Sequence, residues 1–168
     1  MAFPRIEPVH GDITVQDTDA IVNAANRRLA GGGGVDGAIH RASGPNDLHA
    51  ACAVLGGCEP GDAKATAGFA LAARWIIHTV GPVWEGGARH EDEVLASCYR
   101  RSLEVADGLG ARSVAFPAIA TGVYGYPPDL AAQVAVDSVT ACETAVELVR
   151  LVAFDRTGYT RYRALLGS

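Results

Sequence analysis

The sequence predicts a three-layer α/β/α sandwich around a mixed, mainly parallel sheet. Short apolar runs suited to buried parallel strands alternate with helical periodicities almost throughout. The longest periodic stretch, Asp92 to Leu109, repeats Val94, Leu95, Cys98, Tyr99, Ser102, Leu103, Ala106 and Leu109 at intervals of three and four. Glycine clusters fall where strands pass into helices.

Arg5 to Thr14 reads as a strand, with Pro8 placing it at an edge and His10-Gly11-Asp12 as a turn. Ala20 to Asn23 is apolar on both faces, as a buried parallel strand is. Gly31 to Gly34 then feed a helix over Val35 to Ala42, and a second helix runs from Asn46 to Leu55, closed by Gly56-Gly57. Lys64 to Ala67 is a weak strand and Trp75 to Val80 a strong one, stopped by Gly81-Pro82. After the long helix, Ser113 to Phe116 is a short buried strand leading into the glycine-bearing loop Ala120 to Pro128. Pro128 suits the first turn of a helix reaching Cys142. Leu148 to Phe154 is the last strand and Tyr159 to Leu166 the last helix.

With 168 residues and neither repeats nor linkers, residues 1–168 are expected to form one domain, and a monomer. Hydrophobic residues at 49% and a mean hydropathy of +0.14 describe a globular chain, not a disordered one. The net charge of -5 argues against a broad nucleic-acid footprint. Lys64 is the only lysine, so a phosphate site must rest on backbone N–H groups more than on a cationic cluster. No apolar run approaches the roughly 20 residues of a membrane span, and Met1 to Arg5 lacks the regions of a signal peptide. Cys52, Cys58, Cys98 and Cys142 show no paired metal spacing, and Cys98 and Cys142 fall on apolar helix faces. A reducing cytoplasm, with no metal and no cofactor, is the expectation.

The chemistry concentrates in Asn23 to His40, where two amides, four consecutive glycines and one carboxylate, Asp36, follow a strand. Four adjacent glycines have no use in a core. They serve where backbone N–H groups come close to a ligand. Ligands of open α/β sheets bind outside the carboxyl ends of the strands, where both glycine loops fall. Two strand-to-helix loops facing one crevice suit a diphosphate. The Walker pattern and G-x-G-x-x-G are both missing, which disfavours the usual nucleotide folds. The plainer readings are a surface loop and an N-cap aspartate.

The runs G-D-I-T (Gly11–Thr14), I-V-N-A-A-N (Ile21–Asn26) and G-G-G-V-D-G-A-I-H (Gly32–His40) closely resemble the macrodomain family. So do I-H-T-V-G-P (Ile77–Pro82) and P-A-I-A-T-G-V-Y-G-Y-P (Pro117–Pro127), so the resemblance covers nearly the whole chain in order. Macrodomains bind ADP-ribose. The G-G-G-V-D-G-A-I-H form looks like the MacroD-type hydrolases, which remove ADP-ribose from modified acidic side chains and deacetylate O-acetyl-ADP-ribose.

The resemblance implies roles for particular residues. Asp12 would accept from the adenine amino group with the Ile13 N–H nearby, and Phe154 would stack on the base; Asp12 also reads as a turn residue and Phe154 as core. Asn26 would hold the distal ribose, with Asn23 as a further ligand-binding residue or a brace for the loop. Gly33, Gly34 and Val35 would approach the diphosphate from one side. Thr121, Gly122, Val123, Tyr124 and Gly125 would wrap it from the other, with Tyr126 against the distal ribose; the two tyrosines alone read as loop packing. Asp36 would be catalytic, as general base or as the group positioning the ribose while a phosphate polarises water. His40, four residues on, would orient it or be structural. Ala120 departs from the serine common before Thr-Gly, and Asn46-Asp47-Leu48-His49 departs from a more apolar-acidic stretch.

The expected function is hydrolysis of mono-ADP-ribose from protein carboxylates and deacetylation of O-acetyl-ADP-ribose. Its partners would be ADP-ribose, O-acetyl-ADP-ribose and mono-ADP-ribosylated proteins, with nucleic acid only as an ADP-ribosylated substrate. The alternatives are a reader module that binds ADP-ribose without turnover, a hydrolase of ADP-ribosylated nucleic acid, or a weak phosphatase on a phosphorylated ADP-ribose derivative.

Overall fold

The computed structural model describes residues 1–167. Six strands form one sheet in the order β1-β6-β5-β2-β4-β3, with β1 over Arg5–His10, β2 over Ala20–Ala24, β3 over Ala63–Ala67, β4 over Trp75–Thr79, β5 over Ser113–Phe116 and β6 over Leu148–Ala153. Every pairing is parallel except β3 with β4. The mixed, mainly parallel sheet expected from the sequence is present, and the Pro8 strand lies at its edge.

Helices α1 (Gly34–Ser43) and α2 (Pro45–Leu55) cover one face. Helices α3 (Glu91–Leu109), α4 (Pro128–Thr140) and α5 (Arg156–Leu166) cover the other. Side-chain alternation along the strands assigns the two cores. Ala20, Val22 and Ile77 join Leu95, Tyr99, Leu103 and Val139 on the α3–α5 side. Ile21 and Ile76 join Ile39, Leu48 and Cys52 on the α1–α2 side. By the same alternation Asn23 and His78 face α1 and α2, and the register sets them directly opposite each other.

The first strand stops at His10, short of Thr14, because Asp12 caps a single 3-10 turn over Ile13–Val15. Its Oδ1 accepts from Thr14 N at 2.9 Å. Helix α4 ends at Thr140, so Cys142 lies beyond it and is only half-buried. Helix α5 starts at Arg156, three residues ahead of the sequence reading, because Asp155 Oδ1 accepts from Gly158 N at 2.7 Å. No helix among the described residues is long and apolar enough to cross a membrane.

Candidate active site

The first loop and α1 build the centre. Gly33 occupies the N-cap of α1 and offers no side-chain bond, so the first N–H groups of the helix are left for another acceptor. Asp36 is therefore not the cap. It lies in the first turn, where the helix dipole favours a carboxylate. Its side chain is buried, as is that of His40. A buried carboxylate needs a donor, and Asn23 Nδ2 supplies one to Oδ1 at 2.8 Å; His40 Nε2 stands 3.3 Å from the same oxygen. Oδ2 faces the loop, within 3.8 Å of where a Cβ on Gly32 would stand, and Asn26 Nδ2 is 3.9 Å from the same point.

Asn26 ties its own loop, donating from Nδ2 to Gly31 O at 2.8 Å and accepting from Ala30 N at 3.1 Å. Above the helix start, a Cβ on Gly33 or Gly34 would meet nothing within 4 Å. Gly37 is different. A Cβ there would overlap the Gly32 carbonyl, so the loop can fold back onto α1 only over a glycine.

Behind Asp36 runs a buried polar chain. Asn23 Nδ2 also meets His78 Nδ1 at 3.1 Å, and His78 Nε2 meets Thr66 Oγ1 at 2.9 Å. Thr66 Oγ1 in turn donates to Ala67 O at 3.1 Å. Since both Asn23 N–H bonds point at acceptors, His78 Nδ1 is the unprotonated nitrogen and Nε2–H donates to Thr66. Reversing the Asn23 amide would set its oxygen against the Asp36 oxygen. The orientation leaves Asn23 Oδ1 without a partner among the described residues. Burial, and after it the nearby His40, push His78 down to about 4. It is a neutral ring at physiological pH.

The second loop is held differently. Tyr126 N donates to Ala120 O at 2.9 Å and Gly125 N to Gly122 O at 3.0 Å. Trp84 N donates to Tyr124 O at 2.8 Å, and the Trp84 and Tyr126 rings lie 4.7 Å apart. Trp84 belongs to the β4–α3 connection, which Glu91 organises. The Glu91 carboxylate accepts from Glu85 N, Gly87 N and Arg89 N at 2.9, 2.9 and 2.6 Å. Burial works against its charge, but these backbone donors outweigh it and hold the carboxyl down at about 2. Ala120 has φ +67, a left-handed conformation that an alanine adopts at a cost of roughly 1–2 kcal/mol.

The sequence profile of the Macro domain matches residues 22–135. This chain belongs to the macrodomain family. It is 62% identical over 139 residues to a macro domain-containing protein of Mesorhizobium japonicum, covering 83% of this chain and 78% of that one. It is 52% identical over 170 residues to an O-acetyl-ADP-ribose deacetylase of Cronobacter turicensis, covering 97% and 96%. A variant of the Oceanobacillus iheyensis macrodomain, solved with ADPR, superposes with a TM-score of 0.92 at 43% identity, over 96% of this chain and 91% of that one.

In this macrodomain, Asn26, Asp36 and His40 converge around the first glycine loop. Asp12 and Phe154 follow neighbouring strand ends at the far side, because β1 pairs with β6 and Gly11 N donates to Ala153 O at 2.9 Å. Asp12 is a turn residue on its Oδ1 alone, since both bonds from Thr14 fall on that oxygen. Phe154 is 81% exposed, so it is not core. Ile13 is buried against the α1–α2 core beside them. Thr121 lines a cavity of about 220 Å³ with Phe154, Asp155 and Arg161. Val123 is wholly exposed, and Gly122 and Gly125 border open space. Tyr124 packs against the core in part, and Tyr126 is buried beneath Trp84. Asn23 is completely buried, which removes it from the lining and places it behind Asp36 as a support.

Sequence reasoning missed His78, Thr66, Trp84 and Glu91. For His78 a signal existed: a lone polar ring inside a strand buried on both faces requires partners.

Proposed function

We propose that this macrodomain binds ADP-ribose along the carboxyl ends of β6, β5 and β2 and hydrolyses esters at its distal ribose. The substrates are mono-ADP-ribosylated acidic side chains and O-acetyl-ADP-ribose. One observation carries the reading. Asp36 is held at Oδ1 by the Asn23 amide, with His40 Nε2 3.3 Å away, while Oδ2 looks onto the loop that Asn26 ties, next to the uncapped start of α1. That is a preorganised carboxylate beside an anion site. The relative from Cronobacter turicensis, named a deacetylase, and the Oceanobacillus iheyensis structure with ADPR support both halves of it.

The α1 N–H groups and the backbone of Gly122 to Gly125 would take the diphosphate, and Asn26 the distal ribose. Asp12 and Phe154 would take the adenine. Water then attacks the ester. A bond forms from the water oxygen to the ester carbon and the C–O bond to the leaving group breaks. The water proton passes to Asp36 Oδ2. Attack at the acyl carbon expels the ribose oxygen, which takes that proton back and leaves as the alcohol. Attack at the ribose carbon expels the carboxylate directly, and the proton is lost to solvent. The fixed Oδ1 makes Oδ2 the reactive oxygen.

The test is single-turnover release of ADP-ribose from a glutamate-modified protein, and of acetate from O-acetyl-ADP-ribose, by wild type and Asp36→Ala. Release that collapses in the variant, with ADP-ribose affinity kept within about tenfold (1.4 kcal/mol), is the expected result. Tight binding with no release by the wild type would leave a reader module in its place.

A further inference from the structure

A second concavity, of about 450 Å³, lies beyond Asn26 and is lined by Arg27, Arg28, Cys58, Glu59, Asp62 and Lys64. Its floor is fixed. Cys58 N donates to Arg27 O at 2.8 Å, and Lys64 Nζ donates to Leu55 O at 3.0 Å, which anchors the only lysine of the chain at the groove. A Cβ on Gly57, at φ +92, would approach the Arg27 carbonyl to 2.9 Å, so the wall is drawn close around that carbonyl. The acids in the groove are already engaged: Glu59 with Arg27 and Asp62 with Arg101. Arg28 has no hydrogen bond or ion pair among the described residues, and Lys64, whose ammonium donates to a carbonyl, forms no close ion pair although it lies in the field of Asp62. The groove is thus a cationic site in a chain of net charge -5.

Its place in the sheet gives it a meaning. Along the order β6, β5, β2, β4, β3, the residues assigned to adenine stand at the end of β6, the diphosphate loops follow β5 and β2, and Asn26 and Asp36 follow β2. The next strand ends in that order are β4 and the start of β3, where Asp62 and Lys64 stand. A ligand laid along that order from adenine to distal ribose would carry its attached acceptor towards this groove.

We propose that this groove, through Arg28 and Lys64, binds acidic side chains flanking the modified residue of an ADP-ribosylated protein. The proposal rests on the ADP-ribose reading of the neighbouring site. Recognition is electrostatic: carboxylates of the acceptor chain pair with Arg28 first, because it has no partner to give up. A second acidic residue would reach the Lys64 ammonium. Such a site raises affinity for modified proteins without touching the chemistry, and it weakens with salt.

The probes are two synthetic peptides carrying ADP-ribose through a non-hydrolysable linkage, one with Glu on both sides and one with Ala. Their affinities for wild type and Arg28→Glu are measured beside that of free ADP-ribose. Wild type should prefer the acidic peptide about fivefold at low salt, within the range of exposed ion pairs. Arg28→Glu should abolish or invert the preference while leaving free ADP-ribose unchanged. Equal affinity of wild type for the two peptides, or an acidic preference that survives Arg28→Glu, overturns the proposal. Failure of free ADP-ribose to bind would overturn the site reading itself. A failure of turnover alone would leave the groove standing, because these readouts are of binding only.

Discussion

Replacing Asn23 by leucine tests whether the buried chain behind Asp36 holds the carboxylate in place. The two side chains have similar reach, so little cavity opens and the main loss is of two N–H donors. One served the Asp36 carboxylate at 2.8 Å and the other the His78 ring at 3.1 Å. A buried neutral acceptor left unpaired costs about 1–3 kcal/mol, and a charged one more. Relief of the unpaired Asn23 Oδ1 returns part of this. The expected net loss is about 2–4 kcal/mol, which for a chain of this size lowers Tm by roughly 4–16 °C. Asp36 Oδ1 would lose its hydrogen-bond donor, leaving His40 Nε2 3.3 Å away, and would rotate more freely. A displacement near 1 Å can lower a rate about a hundredfold, so single-turnover release should fall by at least tenfold. ADP-ribose affinity should change far less, because Asn23 is buried away from the open face. Thr66→Val, at the far end of the chain, should show the same pattern reduced to about 1 kcal/mol. Urea denaturation and stopped-flow release check both. An Asn23→Leu protein as stable as wild type and equally fast would refute the reasoning.

Three further outcomes are expected. His78 is held at about 4 against an ordinary 6.5, so the unfolded chain takes up its proton first as pH falls. The contribution of His78 is complete above about pH 6.5 and lost progressively towards pH 4, about 3 kcal/mol in all; denaturation midpoints that stay flat from pH 7 to 4.5 in wild type, or that fall equally in His78→Phe, would contradict this. Gly37→Ala should cost about 1–3 kcal/mol by overpacking and should weaken ADP-ribose binding as well, because relieving the overlap moves Gly32 and its loop; thermal melting with a binding titration reads both. Glu91→Gln keeps at most two backbone N–H donors on its one remaining oxygen and loses the charge, so the 85–89 turn should loosen and hydrogen exchange at Trp84 and Tyr126 should rise. Because Glu91 is held at about 2, its stabilisation in the wild type is present above about pH 4.5 and is lost as pH falls from there towards 2.

Much of the architecture was legible because local chemistry and fold agree. Pro8 marked an edge, the period of Val94 to Leu109 marked α3, and the strand-glycine passages marked the two loops. Element ends were less legible. Asp12 and Asp155 each cap a turn or helix through Oδ1, and a capping aspartate looks the same in sequence as a loop aspartate. At the centre, Asn26, Asp36 and His40 are close in sequence, so their grouping could be read directly. His78 lies 55 residues from Asn23, and only the β2–β4 register sets the ring and the amide opposite each other. Glu91 was hidden for the opposite reason. A glutamate at a helix start is ordinary, and nothing local shows that its carboxylate collects N–H groups from the preceding turn instead of its own helix.

The glycines separate what the fold requires from what the site requires. Gly37, Gly68 and Gly81 are set by packing, since a Cβ on each would collide with a neighbouring backbone or side chain. Gly33 has neither reason. Its φ of −93 and ψ of −171 suit any residue, and a Cβ on it would meet nothing within 4 Å. Serine or aspartate there would cap α1 and stabilise it by roughly a few tenths of a kcal/mol over glycine. A glycine that forgoes the cap leaves the helix N–H groups bare on an open face, beside a carboxylate whose inner oxygen is already taken. Protein stability alone does not explain that choice, whereas an anion brought up against the backbone does. The same reasoning covers Gly122 on the opposite loop, which also borders open space at no positive φ. The two bare stretches follow adjacent strands β2 and β5, whose helices α1 and α4 pass to opposite faces, the position at which open α/β sheets bind ligands. What the fold leaves unexplained at these positions is the outline of the ligand.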